Sequence, residues 1–259
     1  ETYFISASTG WAVGYSGTIM KTTDGAVTWV KQPSGTNRAL WGVGFWDAST
    51  GWAVGDQGTI LKTTNGGTTW TPQVSGTPYV INTVAAVSST EAFAAGQGGV
   101  ILHTVNGGTD WSATALAGTP WLNAASFADT ENGWVVGYRG DTVPGAVYVT
   151  DNGGDSWTLR DCGANNTWLQ DAEMLSATVG YVVGNSSAPD GVIYFTDDAG
   201  LNWDLVTSFT GGSLMSASFV DATHGWVTGN GGKIWATVNG TTWNPQTANY
   251  IYSQLSGVH

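Results

Sequence analysis

Residues 51–70 read GWAVGDQGTILKTTNGGTTW, and this stretch decides the fold. Its first part is a short apolar segment between two glycines, Gly51-Trp52-Ala53-Val54-Gly55, which is typical of a short buried strand. Its last part is Thr63-Thr64-Asn65-Gly66-Gly67-Thr68-Thr69-Trp70, in which an Asn-Gly-Gly run predicts a tight turn. Together the two parts predict short strands, two of which are joined by a tight hairpin turn.

The apolar segment recurs six times along the chain. Its copies begin 41, 41, 41, 47 and 45 residues apart, and a near-constant period of this length is the signature of a repeat architecture. The copies occupy residues 10–14, 51–55, 92–96, 133–137, 180–184 and 225–229.

A turn of the Asp-box type follows each copy. An Asp or Asn side chain can hydrogen-bond its own turn backbone, and the adjacent Gly supplies positive φ. The closing Trp is a plate that can bury about 150–250 Å². Because the motif is present in every repeat and four of the six copies carry Asn, we interpret it as structural. Its residues are Asp24, Asn65, Asn106, Asn152, Asp198 and Asn239, with Trp29, Trp70, Trp111, Trp157, Trp203 and Trp243.

Each repeat predicts four strands, A to D. In the second repeat these are residues 40–46, 52–55, 59–63 and 68–71. Such sheets have two apolar faces, and packing them radially covers both, so we predict an all-β, six-bladed β-propeller in a single domain, residues 1–259. Both termini fall inside a repeat, with residues 1–8 matching the end of strand A and residues 255–259 its start. This suits a closed ring, or alternatively seven blades with part of the chain missing.

Composition limits the partners. The formal net charge is -12, with only 7 Lys and Arg, so the chain lacks the basic footprint that nucleic acid requires. No apolar run is long enough for membrane insertion. The lone Cys162 excludes an intrachain disulfide, and we expect an inert thiol. We expect no cofactor and no metal, and the Gly, Thr, Asn and Trp content indicates a secreted, periplasmic or cell-surface protein.

The two motifs resemble those of a known family. The pairing of Gly-Trp-Ala-Val-Gly with Thr-Thr-Asp/Asn-Gly-Gly-x-Thr-Trp is similar to the repeats of the photosystem II stability and assembly factor family, over nearly the whole chain. A more distant resemblance links the chain to the Asp-box propellers of sialidases and xyloglucanases. The first resemblance implies the fold, but not the photosynthetic partner. That family usually has seven blades and an arginine-rich binding surface, whereas this chain has six repeats and three arginines.

Function on a symmetric scaffold is expected where the repeat is broken. The fourth and fifth repeats carry longer B–C loops, residues 138–145 and 185–191, and propeller geometry places B–C and D–A loops on one face. Trp121 and Trp168 lie in the D–A loops that lead into these blades. We therefore predict a non-catalytic, extracytoplasmic module that binds a glycan or a protein through this face. The candidate residues are Trp121, Trp168, Tyr138, Arg139, Asp141, Asn185 and Asp190.

Two alternatives stay open. Asp171 and Glu173 share one face of the inner strand of the fifth repeat, and a carboxylate pair near the central channel is what a glycoside hydrolase needs. The other alternative is a structural module of a surface protein or filament, as part of a larger surface assembly.

Overall fold

A computed structural model describes residues 1–139, 145–163, 167–186, 190–246 and Gly257. Within these residues the chain forms six antiparallel sheets of four strands each, with the strands of each sheet in chain order. The helical segments among them are three-residue 3-10 turns, none of which approaches the length that a membrane-crossing helix needs. The sheets are the blades of a six-bladed β-propeller, so the predicted fold class is confirmed.

The strands of each blade are given in chain order. They are β1 Thr2–Phe4, β2 Gly10–Gly14, β3 Thr18–Thr22 and β4 Val30–Gln32; β5 Leu40–Phe45, β6 Gly51–Gly55, β7 Thr59–Thr63 and β8 Thr71–Gln73; β9 Ile81–Ala86, β10 Ala92–Gly96, β11 Val100–Thr104 and β12 Ser112–Ala115; β13 Trp121–Phe127, β14 Gly133–Tyr138, β15 Ala146–Thr150 and β16 Thr158–Asp161; β17 Trp168–Met174, β18 Gly180–Asn185, β19 Gly191–Thr196 and β20 Asp204–Phe209; β21 Leu214–Phe219, β22 Gly225–Gly229, β23 Ile234–Thr237 and β24 Trp243–Gln246.

The chain forms two compact units, Glu1–Leu122 and Asn123–His259. Unit 1 contains the first three blades, and unit 2 contains the last two blades with nearly all of the fourth. The boundary falls within β13, the inner strand of the fourth blade.

Strand B is buried on both faces wherever it lies between two blades. In β6 every residue is buried: Trp52 and Val54 pack into the core shared with the third blade, whereas Ala53 packs into the core shared with the first. In unit 2, β18 divides its side chains between the fourth and sixth blades in the same way. Successive side chains of a strand point to opposite faces, so an unbroken apolar run is what a doubly covered strand requires.

The glycine that opens strand B is explained by the strand beside it. Gly51 pairs with Phe45 of β5, and a Cβ at Gly51 would lie 2.5 Å from the Phe45 ring. The third repeat replaces this glycine with Ala92, and there the paired residue is Ala86 rather than a phenylalanine. The Gly and Phe positions therefore form one complementary pair across the two strands.

The C–D turns are organised by a buried threonine that precedes the Asp or Asn. Each hydroxyl donates to the Asp or Asn side chain two residues later, at 2.8 to 3.3 Å. In the second blade the Thr63 oxygen also accepts the N–H of Gly67 at 2.8 Å, while the Asn65 side chain accepts the N–H of Thr69 at 2.9 Å. The six threonines are Thr22, Thr63, Thr104, Thr150, Thr196 and Thr237.

These turn bonds explain why the predicted strand D of the second repeat was wrong. Residues 68–71 were expected in the strand, but Asn65 holds Thr69 within the turn and β8 begins at Thr71. The closing Trp70 packs edge-on against Phe45 of the inner strand of its own blade, with ring centroids 5.9 Å apart. The turn and its tryptophan thus connect the outer hairpin of a blade to its inner strand.

Polar clasps join neighbouring blades within unit 1. Lys21 donates to the carbonyl of Gly66 in the next blade at 2.9 Å and lies over the Trp11 ring, 5.0 Å from its centroid. Lys62 repeats the arrangement on the carbonyl of Gly107 at 2.9 Å, and burial lowers the pKa of its ammonium group. Lys21 and Lys62, two of the seven Lys and Arg residues of the chain, therefore hydrogen-bond the C–D turns of the neighbouring blades.

The Gly51 and Phe45 pairing gives a first prediction. Gly51→Ala is expected to destabilise the fold by about 1–3 kcal/mol, because its Cβ would overlap the Phe45 ring. In a Phe45→Ala background the same change should cost at least ~1 kcal/mol less, as a double-mutant cycle of urea unfolding would measure. Equal costs in the two backgrounds would refute the pairing.

The buried turn threonine gives a second prediction. Thr63→Val should lower the free energy of unfolding by about 1–3 kcal/mol, because the N–H of Gly67 loses its buried acceptor. Thr64→Val is the matched control: its side chain is exposed, so a change within about 0.5 kcal/mol is expected. Urea titrations followed by tryptophan fluorescence measure both, and a Thr63→Val variant as stable as the control would contradict the role of the hydroxyl.

Candidate functional site

The exposed aromatic pair of unit 2 lies where the repeat is broken. Strand β14 runs one residue further than its counterparts in unit 1 and ends at Tyr138. The ring of Tyr138 lies against that of Trp168, with centroids 4.6 Å apart and planes inclined at 40°. Trp168 keeps 52% of its surface exposed and Tyr138 is half-buried, so the Trp168 ring is the main part of the pair that faces solvent.

Trp168 was predicted to lie in a D–A loop, and the structure corrects this. It is the first residue of β17 and pairs with Asn185 at the end of β18. The physical reason is that β18 runs one residue further than β6 and β10, to Asn185, which gives Trp168 a pairing partner. Trp121 is likewise the first residue of β13 and not part of a loop, and its side chain is exposed.

A small buried cluster supports the strand ends beside Trp168. The N–H of Gly145 donates to the carbonyl of Thr167 at 3.1 Å, and the Cys162 thiol donates to the carbonyl of Gly145 at 3.4 Å. Cys162 and Thr167 are both buried, so the thiol has a packing role beneath this end of the blade. The carbonyl of Thr167, the residue before Trp168, is therefore held by the Gly145 N–H.

The other predicted residues separate into those near the pair and those away from it. Arg139 follows Tyr138 directly, and its charge opposes the rise that burial produces in the pKa of Tyr148. Asp190 is turned elsewhere: its carboxylate accepts the N–H of Gly211 at 3.0 Å, in the connection to the sixth blade. Asp141 lies outside the described residues, and Trp121 belongs to unit 1. The structure therefore brings together Tyr138 and Trp168, with Asn185 paired to the latter.

Asp171 is held by the inner strand of the next blade. Its carboxylate accepts the N–H of Ala217 at 3.0 Å and the hydroxyl of Ser216 at 2.9 Å, as well as the N–H of Ala172 at 2.9 Å. These bonds clasp β17 to β21. Burial is the largest influence on this carboxyl and raises its pKa, and the three donors oppose the rise.

Glu173 is partly buried two residues further along the same strand. Burial, and then the charge of Asp171, raises the pKa of Glu173 to about 8. At neutral pH this side chain therefore holds a proton, whereas Asp171 acts as a hydrogen-bond acceptor between blades.

A second aromatic pair, in unit 1, was missed from the sequence. Tyr15 lies against Trp41 with ring centroids 5.3 Å apart and planes at 81°, and the indole N–H of Trp41 donates to the carboxylate of Asp56 at 2.6 Å. The sequence contains one signal that could have indicated this pair, because Tyr15 and Tyr138 each follow the second glycine of their strand B motif.

The two histidines in the described part of the chain each pair with a single carboxylate. His103 contacts Glu91 at 2.9 Å and stacks on Phe93, and His224 contacts Asp221 at 3.1 Å. Across the described ranges, His, Cys, Asp and Glu side chains form no group of three or more that could hold a metal ion.

Comparison with known proteins agrees with this architecture. The family model of the photosynthesis system II assembly factor YCF48 matches residues 33–160, just under half of the chain. None of the curated proteins matches the chain by sequence.

Three solved structures are similar over nearly the whole chain. The structure of YCF48 bound to D1 peptide has a TM-score of 0.72 at 18% identity, covering 95% of this chain and 80% of that one. YCF48 from Cyanidioschyzon merolae has a TM-score of 0.73 at 20% identity, covering 97% and 85%. The GH74 xyloglucanase from Xanthomonas campestris has a TM-score of 0.77 at 13% identity, covering 96% of this chain and 45% of the enzyme.

The predicted resemblance is confirmed, since the YCF48 family model and two of the solved structures are similar to this chain. At these identities the three structures establish the fold alone. The roles of the Tyr138 and Trp168 surface and of the two carboxylates therefore stay predictions from the chain itself.

The raised pKa of Glu173 gives a third prediction. In the unfolded chain this group ionises near its ordinary value of 4.5, whereas the folded protein holds the proton up to about pH 8. The wild type should therefore lose stability as the pH rises from 4.5 to 8, on the order of 1.4 kcal/mol per pH unit at most.

Glu173→Gln should abolish this loss, because the amide mimics the protonated acid. The variant and the wild type should be alike below pH 4.5, and the variant more stable above pH 8, as urea unfolding across this range would measure. Glu131→Gln, an exposed change, should retain the wild-type pH dependence. Parallel curves for the wild type and Glu173→Gln would show that the Glu173 carboxyl is not desolvated.

Proposed function

We propose that this protein is a non-catalytic, extracytoplasmic module that binds a polypeptide partner through the surface formed by Tyr138 and Trp168. The observation that carries the proposal is the exposed Trp168 ring, fixed by strand pairing and by the Tyr138 ring at a break in the repeat. A large aromatic side chain that the core does not need, held rigid in solvent, is what a binding anchor requires.

A polypeptide suits this surface for two reasons. Tyr and Trp supply contact area at a low cost in conformational entropy, and they are the residue types enriched at interface hot spots. Arg139, next to Tyr138 in the chain, adds hydrogen-bond donors for peptide carbonyl or carboxylate groups. The similarity to YCF48 supports a binding or assembly role in general terms, since one of the similar structures is of YCF48 bound to D1 peptide.

A fourth prediction tests the surface directly. Binding to an array of short peptides tiling the exported proteins of the source organism should depend on Trp168, and Trp168→Ala should weaken the best peptide at least about tenfold. The matched control is Trp46→Ala: Trp46 is 51% exposed, against 52% for Trp168, but follows β5 at the end of that strand remote from its B–C loop. The control should bind within about twofold of the wild type.

The outcomes separate the alternatives. A folded Trp168→Ala variant that binds peptides as the wild type does would reject this surface. Retention on a glycan panel that Trp168→Ala abolishes, without peptide binding, would redirect the proposal to a sugar ligand. Release of new reducing ends that Glu173→Gln abolishes would make the protein a glycoside hydrolase, and ordered self-association without any ligand would make it a structural module.

The extracytoplasmic location rests on composition and has its own test. Protease treatment of intact source cells, or fractionation followed by antibody detection, should find the protein outside the cytoplasmic membrane. Recovery with cytoplasmic markers would overturn this part of the proposal and leave the binding surface unaffected.

A further inference from the structure

The second aromatic pair, in unit 1, is joined to a carboxylate. We name Tyr15, Trp41 and Asp56 the acid-backed platform. Tyr15 is 73% exposed and Trp41 is 37% exposed, and their rings meet edge to face. The indole N–H of Trp41 donates to one carboxylate oxygen of Asp56 at 2.6 Å, which fixes the ring beside the acid.

Trp41 departs from the role that its counterparts play in the fold. The equivalent residues Asn82 and Asn123 each donate to a carbonyl of the inner strand that follows, those of Leu122 and Leu169, at 2.8 Å. Trp41 instead hydrogen-bonds within its own blade, to the B–C turn that contains Asp56. The Trp41 ring is therefore not part of the buried core, and it does not hydrogen-bond the inner strand that follows as Asn82 and Asn123 do. The packing of the fold does not account for it.

The backbone beneath the acid is fixed. The N–H of Asp56 donates to the carbonyl of Ala39 at 3.0 Å, and the carbonyl of Asp56 accepts the Thr59 hydroxyl at 2.6 Å. The nearby Arg38 is directed to the Gln57 carbonyl and the Thr59 hydroxyl, at 3.4 Å each. Among the described residues no cation pairs with Asp56, so one carboxylate oxygen stays available beside two exposed rings.

These features are those of a cation site. The faces of Trp and Tyr rings attract a cation through the ring quadrupole, and a neighbouring carboxylate adds a charged hydrogen-bond acceptor. The net charge of -12 favours the approach of a cationic group over long range. A planar guanidinium can lie flat on an indole ring while its N–H groups donate to a carboxylate, whereas an ammonium is a compact point charge that lacks this planar fork.

We propose that the acid-backed platform binds an arginine side chain of a partner polypeptide. This site goes beyond the proposed function, because its residues and its unit differ from those of the Tyr138 and Trp168 surface. The guanidinium stacks on Trp41, Tyr15 borders it, and Asp56 accepts its N–H groups.

The test uses the whole protein and a defined probe. N-acetyl-arginine amide is titrated into ¹⁵N-labelled protein, and the indole N–H resonance of Trp41, assigned by its loss in Trp41→Phe, is followed. A saturable shift with a Kd of about 1–10 mM is expected, weakened by salt, and the neutral isostere N-acetyl-citrulline amide should bind at least about fivefold more weakly.

Two variants locate the charge. Asp56→Asn can still accept the indole hydrogen bond and should weaken arginine binding at least about fivefold, whereas Asp151→Asn removes one exposed charge in unit 2 and should leave it unchanged. The other indole resonances report that each variant is folded. An unmoved Trp41 resonance, equal binding of arginine and citrulline probes, or equal loss in the two variants would overturn the proposal.

Discussion

Each blade between two others has two apolar faces, and neither can be left in water. This constraint explains the sequence more fully than any single contact does. It requires strand B to be apolar at every position, so β6 is buried throughout, and it removes the polar alternation that marks a one-sided sheet. It also favours a glycine at the start of the strand wherever a phenylalanine of the inner strand lies opposite, as at Gly51, because the Phe45 ring fills the space a side chain would take.

The period, the number of strands in each blade and the turn residues could be predicted from the sequence because they repeat. An ambiguous residue in one copy can be interpreted from the matching residues in the other copies. The first residue of strand D was not readable. Whether Thr69 extends the strand or stays in the turn depends on the Asn65 side chain capturing its N–H, a choice between two hydrogen bonds that propensity does not rank. The same limit applied to Trp168, whose place in a strand depends on the extra residue, Asn185, at the end of β18.

The two Tyr–Trp pairs illustrate what a repeat comparison can and cannot find. Trp168 stood out because it is an extra aromatic residue beside an insertion, whereas Trp41 lies in a repeat of ordinary length. Its difference from Asn82 is visible in the sequence, but the direction in which the side chain turns is not. Only the contact with Asp56 shows that Trp41 has left the inter-strand role of its counterparts.

The carboxylates of β17 show how one blade is joined to the next. A retaining or inverting glycosidase needs one carboxylate free to attack or to activate water while the other donates a proton. The oxygens of Asp171 are directed to the backbone and hydroxyl donors of β21 and to its own strand. The protonated Glu173 beside it follows from burial and from that neighbouring charge, so the pair is explained as a clasp between two blades. In contrast, the rings of Trp168 and Trp41 are 52% and 37% exposed, and both proposed binding surfaces are built on them.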